Sequence, residues 1–139
     1  MILNEQQAMI RETARRFARE QLRPHSARWD RDNVFPRDAL TAMGRLGFLG
    51  MTVPEEWDGL GADAVSLAVA IEEIAAGDAA CATIMSGHNS VGCMPIATFG
   101  TREQKERFLR PMAQGTMLSA FCLTEPQGGS DAAAMTTRA

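Results

Sequence analysis

Met117-Leu118-Ser119-Ala120-Phe121-Cys122-Leu123-Thr124-Glu125-Pro126-Gln127-Gly128-Gly129-Ser130-Asp131 is where the character of the chain changes. Met117 to Leu123 is a short apolar run bounded by turn residues, the pattern of a buried strand. Thr124 to Asp131 then reads as a tight turn, with Pro126 suited to its second position and Gly128 to its fourth. Gly128 and Gly129 let the backbone approach a neighbour closely, and successive free N–H groups in such a turn form a concavity that suits an anion. Ser130 adds a hydroxyl donor. A phosphate or pyrophosphate fits that description. A plain solvent-exposed turn fits the same spacing, and spacing alone favours the plain turn.

Upstream of this stretch the pattern is helical. Asn4 and Gln7 have the spacing of a capping box, and Ile10, Ala14, Phe17 and Ala18 then recur on one helical face until Pro24, which is expected to end or bend the helix. A second helix is expected from Pro36, burying Leu40, Met43 and Leu46 and stopping at Gly47. Thr52 to Gly61 reads as a loop anchored by Trp57. The next helix, about 63–76, has an apolar stripe of Leu67, Ala70, Ile71 and Ile74 widened by Val65, Ala68 and Val69, so both its sides should be largely covered. Thr101 with Gln104 forms another capping box, ahead of a helix burying Phe108, Leu109 and Met112. Downstream, Met135-Thr136-Thr137-Arg138-Ala139 looks like the opening of a second strand. The expectation is a mainly α chain: a helical domain over residues 1–116, then the start of a β domain over residues 117–139, cut short.

The 139 residues, 45% of them apolar and 22% charged, suit one globular domain. The net charge of −3 and the dispersed basic residues argue against a nucleic-acid partner. Between Asp78 and Arg102 no Asp, Glu, Lys or Arg occurs. Ser86-Gly87-His88-Asn89-Ser90 and Pro95 interrupt that segment, so it is no membrane span of about 20 apolar residues. It is expected to lie deep in the fold, as buried helix or pocket wall. The N-terminus lacks a charged region leading into an apolar stretch, which argues for the cytoplasm. Cys81, Cys93 and Cys122 are odd in number and widely spaced, so neither disulfides nor a zinc site is expected. Cys81 and His88 can share a helical face, but a buried cysteine behaves as a small hydrophobe, and no metal site is assigned.

Phe121 to Asp131 resembles the flavin-binding signature of the acyl-CoA dehydrogenases, an aromatic residue and two mostly apolar positions followed by T-E-P-x-x-G-S-D. Val53-Pro54-Glu55-Glu56-Trp57-Asp58-Gly59-Leu60-Gly61 resembles the family's V-P-E-x-x-G-G-x-G loop. His88-Asn89-Ser90-Val91-Gly92 with Met94-Pro95-Ile96 resembles its mid-domain helix. Phe99-Gly100-Thr101, Glu103-Gln104-Lys105 and Phe108-Leu109-Arg110-Pro111-Met112 resemble the adjoining stretch. These motifs stand in the family's order over essentially the whole chain. Departures are small: Gly128 replaces a common Ala or Ser, and Trp57 and Asp58 stand where Tyr and Gly are usual.

The resemblance implies the family's N-terminal orthogonal helical domain, followed by the first strand or strands of a truncated β-barrel domain, with FAD as cofactor and an acyl-CoA thioester as substrate. It implies that the backbone of Phe121 and Leu123 and the hydroxyl of Thr124 bond the polar edge of the isoalloxazine. Gly129 and Ser130 would meet the pyrophosphate, and Ser130 would also approach the acyl-CoA. It further implies an electron-transfer flavoprotein as acceptor and a homotetrameric parent. The family's catalytic glutamate belongs to a C-terminal helical domain, expected to be absent here. Glu72, Glu73 and Glu125 do not match its position, so no catalytic residue is assigned and the chain alone is expected to be inactive. The charge-free segment becomes a candidate distal wall of the acyl pocket, with Met85 and His88 setting tail length; a core histidine, or one moving a proton, is the other reading of His88. Acyl-CoA oxidases, nitroalkane oxidases and flavin monooxygenases share the fold. A non-catalytic helical interaction module is the alternative of a different class.

Overall fold

The structure is a computed structural model and describes residues 2–138. Helix α1 (Glu5–Phe17) opens where Asn4 and Gln7 exchange side chain-to-backbone hydrogen bonds of 2.8 and 3.1 Å. Those two bonds satisfy donors that a helix start otherwise leaves unpaired. The helix then runs through five π-helical residues, Ala18–Leu22, into α2 (Arg23–Arg31). Pro24 therefore does not end the helix, one of the two outcomes expected of it; the helix continues past it by way of a widened turn. Helix α3 (Arg37–Arg45) follows Pro36 and closes at Gly47, whose φ of +79° is left-handed. Helix α4 (Ala64–Gly77) is capped by the Asp63 carboxylate on the Ser66 N–H at 2.7 Å.

Helix α5 (Ala79–Gly87) passes through π-helical His88–Cys93 into α6 (Met94–Phe99). In the same way α7 (Arg102–Gln104) passes through Lys105–Leu109 into α8 (Arg110–Ala113), after the predicted Thr101–Gln104 capping box. The three π segments have one cause in common. Pro24, Pro95 and Pro111 each stand two residues beyond a π segment. A proline has no N–H to donate, and its ring clashes with the carbonyl four residues back. Widening the preceding turn to π geometry relieves the clash without breaking the helix.

Helix α1 packs on α4, and α4 on α5. The main core between them includes Leu22, Leu40, Met43, Leu49, Met51, Ile74 and Met85, all fully buried. Each such side chain contributes on the order of 1.5–3 kcal/mol by leaving water. Phe17 meets Phe48 edge-on, ring centroids 6.3 Å apart. At the rim, Arg15 reaches from α1 to Glu73 of α4 with bonds of 3.0 and 2.5 Å, and Gln7 donates to the Asp63 cap at 2.9 Å. A second, smaller core gathers Val53, Cys93, Leu109, Met112 and Ala113. Trp57 packs on it as the predicted anchor, with the Arg110 guanidinium over its ring at 5.5 Å.

Two further burial expectations are corrected. Leu46 is 44% exposed, because α3 ends before it and the chain turns away at Gly47. Helix α4 is less covered than its composition implies: Val69, Ala70 and Ile74 are buried, Leu67 and Ile71 are half-buried, and Ala68 faces solvent.

Beyond α8 the chain turns at Gly115, in a left-handed conformation, and runs from Leu118 without regular secondary structure. The expected buried strand at Met117–Leu123 is not formed: the segment pairs with no neighbour among the described residues and Phe121 is 60% exposed. Nor do Met135 to Thr137 start a second strand. A strand exists by pairing, and among the described residues the one β-bridge is the antiparallel pair Glu125 and Gly128. Among the described residues no helix is long and apolar enough to cross a membrane.

Candidate functional site

The segment bearing the candidate site is fastened to the helices by one polar residue of the charge-free stretch, His88. His88 is 1% exposed. Its Nε2 lies 3.0 Å from the Met112 carbonyl, and its Nδ1 lies 3.2 Å from the Ser119 N–H and 3.0 Å from the Ser119 hydroxyl. An amide N–H can only donate and a carbonyl can only accept, so the proton sits on Nε2 and the ring is neutral. Burial pushes the His88 pKa down, against the opposing pull of the Met112 carbonyl.

Asn89 is fully buried and bonded on both sides. Its amide donates to the Phe48 and Met85 carbonyls at 2.8 and 3.0 Å, and its oxygen accepts from the Met51 N–H at 2.8 Å and, more weakly, from Thr52 at 3.4 Å. This ties the π turn of the central helix to the segment that enters the Thr52–Gly61 loop.

These findings correct the pocket reading of the charge-free segment. Met85 sits at 0% exposure inside the main core and His88 inside its own hydrogen bonds, so neither lines a cavity. Nor does the whole segment lie deep: Val91 and Met94 are more than two-fifths exposed and Phe99 is 86% exposed. Cys81 packs in the core, where burial first and the Asp78 carboxylate second push its thiol up to about 12. Among the described residues no group of three or more His, Cys, Asp or Glu side chains is placed to hold a metal.

The turn itself is closed by backbone bonds between Glu125 and Gly128 in both directions, at 2.8 and 3.1 Å. The Glu125 side chain secures the loop that follows. Its carboxylate accepts from the Thr136 N–H and hydroxyl at 2.9 Å each, from the Thr137 N–H at 2.8 Å, and from the Gln127 amide. Those donors, Thr137 first, hold its pKa down at about 2. Glu125 therefore fixes the turn. The Asp131 carboxylate accepts from the Ala133 N–H at 3.2 Å and starts a short 3-10 turn, Ala132–Ala134.

The five candidate ligand residues fall along this exposed strip. Phe121 is exposed, Leu123 is half-buried, Thr124 is exposed, and the turn brings Gly129 back against Thr124. A Cβ on Gly129 would lie 3.1 Å from the Thr124 hydroxyl oxygen, a tight contact that the threonine side chain would have to shift to relieve. Ser130 follows at the surface. The N–H groups of Phe121, Leu123, Gly129 and Ser130 make no hydrogen bond to any described residue. Free donors beside a hydroxyl suit an electron-rich ring edge and an anionic diphosphate, the chemistry that FAD would present.

The carboxylates weighed against the role of a base, Glu72, Glu73 and Glu125, are engaged or exposed elsewhere. Glu73 is held by Arg15 and Glu125 by the two threonines, while Glu72 stands on the exposed side of α4. Ser119 and Asn89 were not singled out as site residues by sequence. The polar pair His88-Asn89 inside a charge-free helix is the signal that could have found Asn89, since a buried polar group requires partners; nothing in the run around Ser119 marks that residue.

Residues 4–116 match the family model described as "Acyl-CoA dehydrogenase, N-terminal domain". An acyl-CoA dehydrogenase of Bacillus subtilis is 42% identical over all of this chain and 37% of its own length. The rat mitochondrial short-chain specific acyl-CoA dehydrogenase is 42% identical over 99% of this chain and 33% of its own. The chain thus spans about a third of the length of these relatives. Among solved structures, an acyl-CoA dehydrogenase from Bacillus anthracis complexed with FAD superposes with a TM-score of 0.87 at 34% identity, covering 94% of this chain and 22% of that one. A match over most of its residues, in sequence and in fold, makes this chain a member of the acyl-CoA dehydrogenase family.

Proposed function

We propose that the chain contributes the helical domain and the leading edge of the FAD site to an enzyme that desaturates acyl-CoA thioesters between their α and β carbons. The observation that carries this reading is the set of free N–H groups of Phe121, Leu123, Gly129 and Ser130 beside the Thr124 hydroxyl, on a turn whose following loop Glu125 clasps. In this reading the N–H groups of Phe121 and Leu123 and the hydroxyl of Thr124 bond the polar edge of the isoalloxazine. Gly129 and Ser130 meet the pyrophosphate, and the Ser130 hydroxyl also approaches the thioester. FAD, when bound, supplies the acceptor for the hydride that leaves the β-carbon. The chain's own part is electrostatic: donors fixed in advance favour negative charge where it develops and need no reorganisation as it does.

The α-proton requires a base, and the reading places none here, since the candidate carboxylates are engaged or lie away from the strip. The chain by itself is then inactive towards acyl-CoA, and its domains divide at residue 116. The acceptor of the enzyme's electrons is an electron-transfer flavoprotein, its assembly a homotetramer and its compartment the cytoplasm. Titration of the chain with FAD, followed by flavin fluorescence, tests the site. Saturable quenching is expected, weakened about tenfold by Thr124→Val through loss of one hydrogen bond of about 1.4 kcal/mol. Binding that is insensitive to both Thr124→Val and Ser130→Ala would contradict the assignment.

A further inference from the structure

We propose that His88 is the positioning residue of the FAD-facing strip, acting through Ser119; this rests on the reading above. Between Leu118 and Thr124 the two bonds from Ser119 to His88 are the only hydrogen bonds made to the rest of the described residues. Ser119 stands two residues before Phe121, where the proposed flavin contacts begin. The placement of Phe121, Leu123 and Thr124 relative to the helices is therefore set, in polar terms, at this one residue.

The imidazole is suited to that task. It is rigid, buried and held in a single tautomer, because Met112 accepts on one side and Ser119 donates on the other. It thereby fixes the end of α8 and the start of the strip with respect to each other, across the left-handed turn at Gly115. Gly92, one helical turn beyond His88, supplies the seat. A Cβ there would lie 2.8 Å from the Ser119 Cβ and would collide with its hydroxyl, pushing the strip off the helix. Ring and glycine are two independent features of one helix that converge on Ser119. His88 touches no ligand in this account. Its contribution is to hold donors where a ligand meets them, as groups behind a binding site commonly do.

Amide hydrogen exchange on the chain, with and without FAD, provides the test. In His88→Leu, which fills the volume without either hydrogen bond, the Ser119 amide is expected to exchange at least about tenfold faster than in the unaltered chain. FAD affinity should fall by a similar factor. His88→Gln, which restores one donor and one acceptor, should recover part of both. Gly92→Ala, which leaves His88 intact, should reproduce the loss at Ser119 and keeps the test valid if His88→Leu does not fold. Unchanged Ser119 exchange in Gly92→Ala and in whichever His88 variants fold would overturn the proposal, as would faster exchange with undiminished FAD affinity. If the unaltered chain binds no FAD, the FAD reading fails on its own, and exchange alone decides whether His88 fixes the strip.

Discussion

Replacing Asn89 by Ala removes a side chain that bonds the central helix to the Phe48–Thr52 segment on both of its polar sides. The Met51 N–H and the Phe48 carbonyl have no other partner among the described residues, and both residues are at most 2% exposed. Each group stranded in that setting costs about 1–3 kcal/mol, so the substitution should destabilise the chain by about 4 kcal/mol. Against a total stability on the order of 5–15 kcal/mol, that is a large share. Urea unfolding followed by circular dichroism reads it as a fall in midpoint of about 2 M at unchanged slope, taking a slope near 2 kcal/mol/M. Asn89→Asp separates hydrogen bonding from volume. It keeps the acceptor for Met51 but turns a second oxygen against the Phe48 and Met85 carbonyls, so it should be at least as damaging as Ala. A loss below about 1 kcal/mol in Asn89→Ala, or a near-neutral Asp, would refute the accounting.

Burial lowers the folded-state pKa of His88, which fixes the sign of a pH effect. Above about pH 6.5 the ring is neutral in both states and contributes no slope; below it the unfolded chain takes up a proton that the folded chain resists, so stability falls with acidification. His88→Gln should abolish that part of the decline in urea midpoints measured from pH 7 to pH 5. Glu125→Gln should speed amide exchange at Thr136 and Thr137. In the unaltered chain the clasp, with its carboxyl at about 2, should persist on acidification until the pH approaches that value. Met85→Ala should cost about 2–5 kcal/mol in unfolding experiments, as a core deletion does. A nearly neutral Met85→Ala would return Met85 to the wall of a pocket.

Sequence predicts best what local geometry controls. Asn4 with Gln7, and Thr101 with Gln104, form capping boxes because every atom involved lies within one turn. The same holds for Glu125 and the Gly128–Gly129 turn, apart from the loop that Glu125 clasps, whose Thr136 lies eleven residues on. What escaped the sequence depends on a distant partner. Met85 has the same helical setting whether it faces a core or a pocket, and only packing against Phe48–Met51 decides. The role of His88 rests on Ser119, thirty-one residues later. Met117–Leu123 has strand composition, yet β-structure lies in the neighbour rather than in the run itself. The π turns escape the pattern for a different reason: a proline such as Pro24 is expected to end or bend a helix, and the pattern does not show that a widened turn accommodates it instead.

Visible absorbance of the complete enzyme to which the chain is proposed to contribute, isolated from the cells that make it and followed while saturated acyl-CoA is added under nitrogen, bears most directly on the proposed role of the Phe121–Ser130 strip. A flavin spectrum that bleaches on addition of acyl-CoA is the predicted result. A colourless protein, or flavin colour that no acyl-CoA alters, would contradict it.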